Sequence, residues 1–184
     1  MRVRVPEERI FLEMKPAIDG DLGGHMYLVK RRVDVEDGVV LSNDYQSGVN
    51  QDQVIRGAFG SLLGAYEQPL GQSLDQYGPD ETPQTRHSVD ITDLVGGISC
   101  WSDFEVWADA INNKYSYEPP YLYDHTANSN AVVLSLLANA GVDIRDLHVD
   151  GFPYVNSFYD LGRREPIPAR LLCWRLAISH QQQR

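Results

Sequence analysis

The chain has 184 residues and a formal net charge of −10 at pH 7, because 26 aspartates and glutamates outnumber 16 lysines and arginines. The length fits one domain. The acidic balance disfavours general nucleic-acid binding, which depends on basic side chains that neutralise phosphates. Residues 33–113, called the acidic region below, hold 14 acids and only two bases, a local charge of −12. We expect a solvated face there; the alternative is a surface that selects a protein partner.

Several other functional classes find no support in the sequence. Cys100 and Cys173 are the only cysteines, too few for a disulfide framework. No run approaches the roughly 18–20 apolar residues of a membrane-spanning helix. The first residues, MRVRVPEERI, lack the apolar core of a cleavable signal peptide, so we expect a protein made in the cytoplasm, with any export by a signal-independent route. No zinc-protease, dinucleotide-binding or P-loop motif occurs, and we predict no metal and no cofactor.

The N-terminal part of the chain predicts an antiparallel hairpin. Residues 9–15 (RIFLEMK) alternate loosely between apolar and polar, which is typical of a strand. Residues 25–32 (HMYLVKRR) are apolar and rich in strand-forming residues, and predict a second strand. The VEDG sequence at 35–38 favours a tight turn, with a returning strand at 39–42.

The middle and the end of the chain give weaker patterns. Residues 50–65 predict a helix, although glycines interrupt it. Residues 66–87 are rich in Gln, Pro, Gly and acids, and predict a long loop that serves as a lid or an insertion. A short strand is predicted at 87–92. Residues 170–178 predict a last strand or short helix, followed by a frayed tail at 179–184.

Two helices are predicted in the second half of the chain. The first covers 102–115, where Ser102 as N-cap and Glu105 three residues later form a capping box. The second covers 129–139 and ends before Gly141, a residue type that commonly follows a helix end. This second helix is apolar around most of its circumference, so we expect it to be buried on most sides.

The start of this buried helix is the first candidate for chemistry. It carries the polar triplet Asn128-Ser129-Asn130. A hydroxyl there points into the fold or a cleft, where free N–H groups and the positive end of the helix dipole favour negative charge. Such a helix start can supply a nucleophile and an oxyanion site together. The alternative is that the triplet only caps the helix.

His25 is the second candidate. It opens a predicted strand directly after two glycines, and glycines let another backbone or a ligand approach closely. A strand histidine that faces a helix-start serine forms a base and nucleophile pair. The alternative is a structural histidine. Cys100 is the less favoured nucleophile, because it precedes Trp101 and not the start of a buried helix.

These residues resemble a known family. The run GGHMYLV, and later YLYDHTANSNAVVLSLLANAGVD, are similar to the circularly permuted papain-like hydrolases related to the NlpC/P60 group. In that family a strand histidine comes first, and the nucleophile follows at the start of a buried helix. The resemblance covers a little under half the chain. It implies a single α+β domain over residues 1–184, with an antiparallel sheet packed on a buried central helix.

The resemblance also implies roles for single residues. His25 matches the general base, and Ser129 stands where the family usually has a cysteine nucleophile. The residue that orients the histidine usually lies on the following strand, here Ser42, Asn43 or Asp44. We prefer Asp44, because a carboxylate stabilises an imidazolium best. Asn128 and the backbone N–H of Ser129 are expected to hold the oxyanion.

The loop before the triplet is expected to contribute to the same cleft. Tyr123 and His125 are candidates for its wall, with a small aromatic core under a long loop as the alternative. The resemblance implies an amide or ester hydrolase acting on a peptide-like or lipid substrate, such as a cell-wall peptide, and relatives include secreted antibacterial effectors. The competing hypothesis is a non-catalytic binding or structural module that keeps the fold. In that case Ser129 caps its helix, and His25 has a backbone partner.

Overall fold

The structure is a computed structural model. It describes residues 5–16, 24–36, 39–40, 52–58, 61–83, 85–114 and 129–142. The predictions for 170–178 and for the tail at 179–184 lie outside these residues. The described elements form one α+β domain with an antiparallel sheet and two helices, as predicted from the sequence.

A long antiparallel strand pair is the centre of the sheet. β1 (Val5–Pro16) and β2 (Gly24–Glu36) pair along their whole length. Both predicted strands are confirmed, and both are longer than predicted because the pairing continues through charged residues that the apolar pattern does not mark. β3 (Val39–Val40) folds back on the end of β2 and confirms the predicted hairpin.

Three further strands complete the sheet. They are β4 (Gln53–Ala58), β5 (Gly64–Pro69) and β6 (Val89–Asp90), and the order is β5-β4-β2-β1-β6. β6 confirms the strand predicted around 87–92. The helix predicted over 50–65 is wrong. The four central residues of β4 are all buried, because the strand is covered on both faces, and such strands show no alternation by which sequence could identify them.

The two helices are α1 (Cys100–Ile111) and α2 (Ser129–Asn139). α2 has the predicted bounds, and Gly141 after it has the left-handed φ of +78° expected of a helix end. α1 begins earlier than predicted, so the capping box at Ser102 is wrong: Ser102 lies inside the helix. The side chain of Glu105 hydrogen-bonds Glu67 of β5 instead of capping the helix.

The sheet lies between two layers. One face packs against both helices, and seven of the eleven residues of α2 are buried, which confirms its predicted burial. The other face packs against residues 70–83 and 85–86, called the loop layer below. Leu70 and Tyr77 of this layer pack with the apolar side chains on this face of the sheet, which are Phe11, Tyr27, Val29, Val33 and Val54. No helix in the described part of the chain is long and apolar enough to cross a membrane.

Buried charged side chains tie the loop layer to the sheet. Arg31 of β2 lies 2.9 Å from Glu13 and 2.6 Å from Asp52, and donates to the Tyr77 hydroxyl at 3.0 Å. Arg86 donates to the Tyr27 hydroxyl at 2.8 Å. The predicted loop at 66–87 therefore begins within β5, and its later part places the side chains of Tyr77 and Arg86 in hydrogen bonds with residues of the sheet.

Candidate active site

The candidate site lies at one end of the sheet, where β2 begins and β1 and β4 end. His25 is the second residue of β2 and pairs with Lys15 of β1. Its side chain is 13% exposed, so it is largely covered but still reachable from solvent. At this end the helix layer and the loop layer come close to the same histidine.

The helix layer contributes Ser129, the first residue of α2. Its Oγ lies 3.1 Å from Nδ1 of His25. Two contacts set this position. The side-chain oxygen of Asn130 accepts the backbone N–H of Met26 at 2.8 Å. Gly57 of β4 lies so close to Ser129 that a Cβ on it would fall 2.4 Å from the Ser129 Cα. The two residues predicted to meet are thus within hydrogen-bond distance.

The loop layer contributes Asp75. Its Oδ2 lies 3.3 Å from Nε2 of His25, the ring nitrogen that does not face Ser129. The carboxylate is fully buried, with Lys15 Nζ at 2.8 Å from Oδ1 and Arg56 Nε at 3.0 Å from Oδ2. The backbone N–H of Asp75 donates to the Ser73 hydroxyl at 2.8 Å, which fixes the local turn.

The environment keeps Asp75 ionised. Burial by itself raises its pKa, because a carboxylate loses hydration inside the protein. The hydrogen bond from His25 and the positive charges of Arg56 and Lys15 outweigh burial and hold the pKa of Asp75 well below its usual range. An ionised carboxylate only accepts hydrogen bonds, so it places the proton of the neutral imidazole on Nε2.

This tautomer decides what the arrangement can do. With the proton on Nε2, the lone pair of Nδ1 can accept the hydroxyl proton of Ser129. The Ser129 hydroxyl, the His25 imidazole and the Asp75 carboxylate are then connected in series by hydrogen bonds. This arrangement activates a weak hydroxyl nucleophile. In trypsin-like proteases the ring nitrogens have the opposite partners, so the geometry is related but not the same.

The structure brings together only some of the predicted site residues. His25 and Ser129 meet, whereas Asp44, Asn128, Tyr123 and His125 lie outside the described residues. Among the described residues, Asp75 is the carboxylate that contacts His25, and the role of Asp44 stays a prediction.

Cys100 differs from Ser129 in its surroundings. It is buried at the start of α1, where burial and the charge of Asp103 raise the pKa of its thiol to about 11. A thiol with such a pKa is almost entirely protonated at neutral pH and is a poor nucleophile.

Sequence reasoning missed the residues around the histidine. Asp75, Arg56 and Gly57 all come from segments that were predicted as a loop or a helix, so their side chains could not be placed on a sheet. The only local signal for Asp75 is Ser73 two residues earlier, a spacing typical of a turn closed by a serine hydroxyl. Nothing in that signal points to His25, because the contact joins residues 50 positions apart.

Comparison of the chain with family models, with curated proteins and with solved structures found no match. Within the described ranges, no three His, Cys, Asp or Glu side chains form a group that could hold a metal ion.

Proposed function

We propose that this protein is a hydrolase of amide or ester bonds that uses Ser129 as its nucleophile. One observation carries the proposal: a single imidazole, that of His25, has the Ser129 hydroxyl at one ring nitrogen and the buried Asp75 carboxylate at the other. A histidine held in this way has a defined tautomer and a defined direction. Both are needed for a serine to lose its proton as it attacks.

The first half of the reaction forms an acyl-enzyme. Ser129 Oγ attacks the substrate carbonyl carbon while its proton passes to Nδ1 of His25. The bond to the leaving group then breaks, and the leaving amine or alcohol takes that proton from Nδ1. Asp75 remains ionised throughout and stabilises the imidazolium that exists between the two transfers.

The start of α2 supplies the electrostatic part. The first N–H groups of a helix have no partner within it, and they lie at the positive end of its dipole. They can stabilise the oxyanion of the tetrahedral intermediate at Ser129. In the second half of the reaction, His25 takes a proton from water, the hydroxide attacks the acyl carbon, and Ser129 leaves with its proton restored.

We further propose that the fold is a permuted papain-like one. The order along the chain supports this, since a histidine at the start of a strand precedes a nucleophile at the start of a buried helix. The same resemblance leads us to propose a peptide-like or lipid substrate, and most specifically a cell-wall peptide. It also leads us to propose a role as an antibacterial effector. A protein partner bound through the acidic region is a separate proposal.

Labelling with a fluorophosphonate probe tests the proposed function. The probe forms a bond from phosphorus to an activated serine oxygen with loss of fluoride, and mass spectrometry locates it. We expect labelling of Ser129, none in Ser129→Ala, and a decrease of about 10²-fold or more in His25→Ala. Ser135→Ala is the matched control, because Ser135 is a buried serine of the same helix that donates to the Ala131 carbonyl.

Two results would reject the proposal. One is equal labelling of the wild type, Ser129→Ala and His25→Ala. The other is a wild-type protein that labels no serine although it is folded by circular dichroism. Either result would favour the non-catalytic module, in which the contact between Ser129 and His25 is structural.

A further inference from the structure

We infer that two neighbouring residues of β4, Arg56 and Gly57, position the two ends of the proposed triad: Arg56 holds the Asp75 carboxylate, and Gly57 receives the backbone of Ser129. Neither residue takes part in the chemical steps, so both are positioning residues. The inference rests on the proposed function, because it assigns these residues to the same site.

Strand geometry explains how adjacent residues reach opposite layers. Successive side chains of a strand point to opposite faces of the sheet. Arg56 pairs with Tyr27 and faces the loop layer with it, whereas Ile55 pairs with Leu28 and faces the helices. Gly57 has the same parity as Ile55 and therefore faces the helix layer. The end of β4 is thus in contact with the carboxylate on one side and with the nucleophile on the other.

Arg56 acts on the oxygen that His25 uses. Its side chain is 3% exposed, and its Nε lies 3.0 Å from Asp75 Oδ2, the same atom that contacts Nε2 of His25. The Nε–H group also donates to the carbonyl of Gly57 at 3.2 Å, which ties the guanidinium to its own strand. Lys15 stands at the other oxygen. The carboxylate therefore cannot rotate away from His25 without losing a buried charge partner.

Gly57 acts by having no side chain. A Cβ there would lie 2.4 Å from the Cα, 2.5 Å from the carbonyl oxygen and 2.8 Å from the carbonyl carbon of Ser129. All three atoms are backbone, so no rotamer change can relieve the overlap. Any residue larger than glycine must move the start of α2 away from β4, and Ser129 Oγ away from His25. A displacement of about 1 Å costs on the order of 10²-fold in rate where reacting groups need alignment.

The two halves of the inference predict different signatures. The proton on Nε2 of His25, held against Asp75, should give a far-downfield proton NMR signal that exchanges slowly. Arg56→Gln should weaken or abolish this signal, and Arg56→Lys, which keeps the charge but loses the planar fork, should fall between Arg56→Gln and the wild type. Gly57→Ala should keep the signal, because it disturbs only the serine side.

The experiment combines that signal with probe kinetics on the full chain. Maximal labelling rate and probe affinity are measured separately for each variant, together with its melting temperature. We expect Gly57→Ala to lower the maximal rate about 10²-fold with a smaller change in affinity. Gly64→Ala is the matched control. It lies on the neighbouring strand, and its Cβ would meet side chains, those of Ala58 and Tyr66, at 3.2 Å. It should label at the wild-type rate, because the atoms nearest that Cβ belong to Ala58 and Tyr66 and not to Ser129. Its melting temperature should fall, because the Cβ of Ala58 has no other rotamer to adopt.

Each outcome decides the inference. Folded Gly57→Ala and Arg56→Gln proteins that label at the wild-type rate would overturn it while the proposed function stands. If the wild type labels no serine, the proposed function fails. The downfield signal then still tests Arg56, since an unchanged signal in Arg56→Gln overturns the inference and its loss supports the positioning role. If Gly57→Ala does not fold, the two Arg56 variants decide the question in the same way.

Discussion

His25 is the residue on which the proposed chemistry depends, and its two neighbours differ in what they tolerate. Asp75 is the charge partner of buried Arg56 and of Lys15, so replacing it leaves buried positive charge unpaired and disturbs the fold as well as the site. Ser129 contacts His25 through a hydroxyl alone, and a thiol can replace it with little change in volume. A substitution of Ser129 therefore tests the role of His25 as a base with less disturbance of the fold than a substitution of Asp75.

At the residue scale, we predict that Ser129→Cys creates a reactive thiol. Nδ1 of His25 should take the thiol proton, and a thiolate beside an imidazolium is alkylated readily at neutral pH. Iodoacetamide at pH 7 should modify this thiol at least about 10-fold faster than Cys100 of the same molecule, whose pKa is raised to about 11. Peptide mapping by mass spectrometry measures both rates in one sample.

Ser135→Cys is the control for that prediction. Ser135 is a buried residue of the same helix, and its hydroxyl donates to the Ala131 carbonyl, so a thiol there should react as slowly as Cys100. Adding His25→Ala to Ser129→Cys should remove most of the rate advantage. A folded Ser129→Cys protein whose new thiol reacts no faster than Cys100 would show that His25 does not act as a base toward position 129.

At the scale of single elements, the sequence predicts some parts well and others badly for a physical reason. α2 could be located because a mostly apolar run between a polar triplet and a glycine is a local signal. β4 could not, because a strand buried on both faces resembles a short apolar helix. The start of α1 was misplaced since Glu105 has a tertiary partner, Glu67, and tertiary contacts override a capping pattern.

That contact between α1 and β5 gives a prediction at the element scale. Burial, the charge of Glu67 and the hydrogen bond to Glu67 raise the pKa of Glu105. The folded state therefore favours the protonated form of Glu105. The stability that this bound proton contributes is lost as pH rises above the ordinary carboxyl range. Glu105→Gln keeps a hydrogen-bond donor and removes the repulsion. It should increase the free energy of unfolding at pH 7 by ~0.3–0.5 kcal/mol, measured by urea denaturation.

Asp103→Asn, a second change of a carboxylate to an amide on the same helix, separates this effect from simple charge removal. Asp103 is exposed in the first turn of α1, where a negative charge interacts favourably with the helix dipole. Asp103→Asn also lowers the net negative charge by one, but it should decrease the stability slightly. If both variants change the stability in the same direction, general charge repulsion and not the contact with Glu67 explains the result.

At the scale of the whole molecule, the structure shows which charges of the acidic region are buried and which remain on the surface. The acidic region contains only two bases, Arg56 and Arg86, and both are buried at 2% exposure. Two of its acids, Asp52 and Asp75, are buried with them. The surface that this region presents within the described residues is therefore acidic without compensation from its own bases, which favours a neutral or cationic partner.

The site shows the same limit of sequence reasoning as the fold. His25 and Ser129 each lie at the start of an element that the sequence predicts correctly, so the contact between them could be proposed from the sequence. Asp75 and Arg56 depend on which residues of a segment face the sheet. That is decided by the pairing of β4 with β2 and by the buried contacts of the loop layer, and neither is a local property of the chain.

The buried charges under the loop layer should make the stability of the whole protein depend on pH. Arg31 faces two carboxylates, those of Glu13 and Asp52, and among the described residues it is the one cation in ion-pair contact with either of them. The Tyr77 hydroxyl donates to Glu13, and Asp52 is the carboxyl group of this cluster whose pKa is raised. Burial is the main cause that raises the pKa of Asp52 to about 7, against the lowering effect of Arg31.

We therefore predict that Asp52→Asn flattens the pH dependence of stability between pH 6 and 8. Folded Asp52 binds a proton that the unfolded chain has already released, so its contribution is complete in acid and is lost as pH rises through about 7. The free energy of unfolding of the wild type should fall by about 1 kcal/mol more than that of the variant over this range, measured by urea denaturation at each pH. Asp93→Asn, at an aspartate 95% exposed, should keep the wild-type slope. An identical slope in wild type and Asp52→Asn would mean that Asp52 stays ionised beside Arg31 throughout.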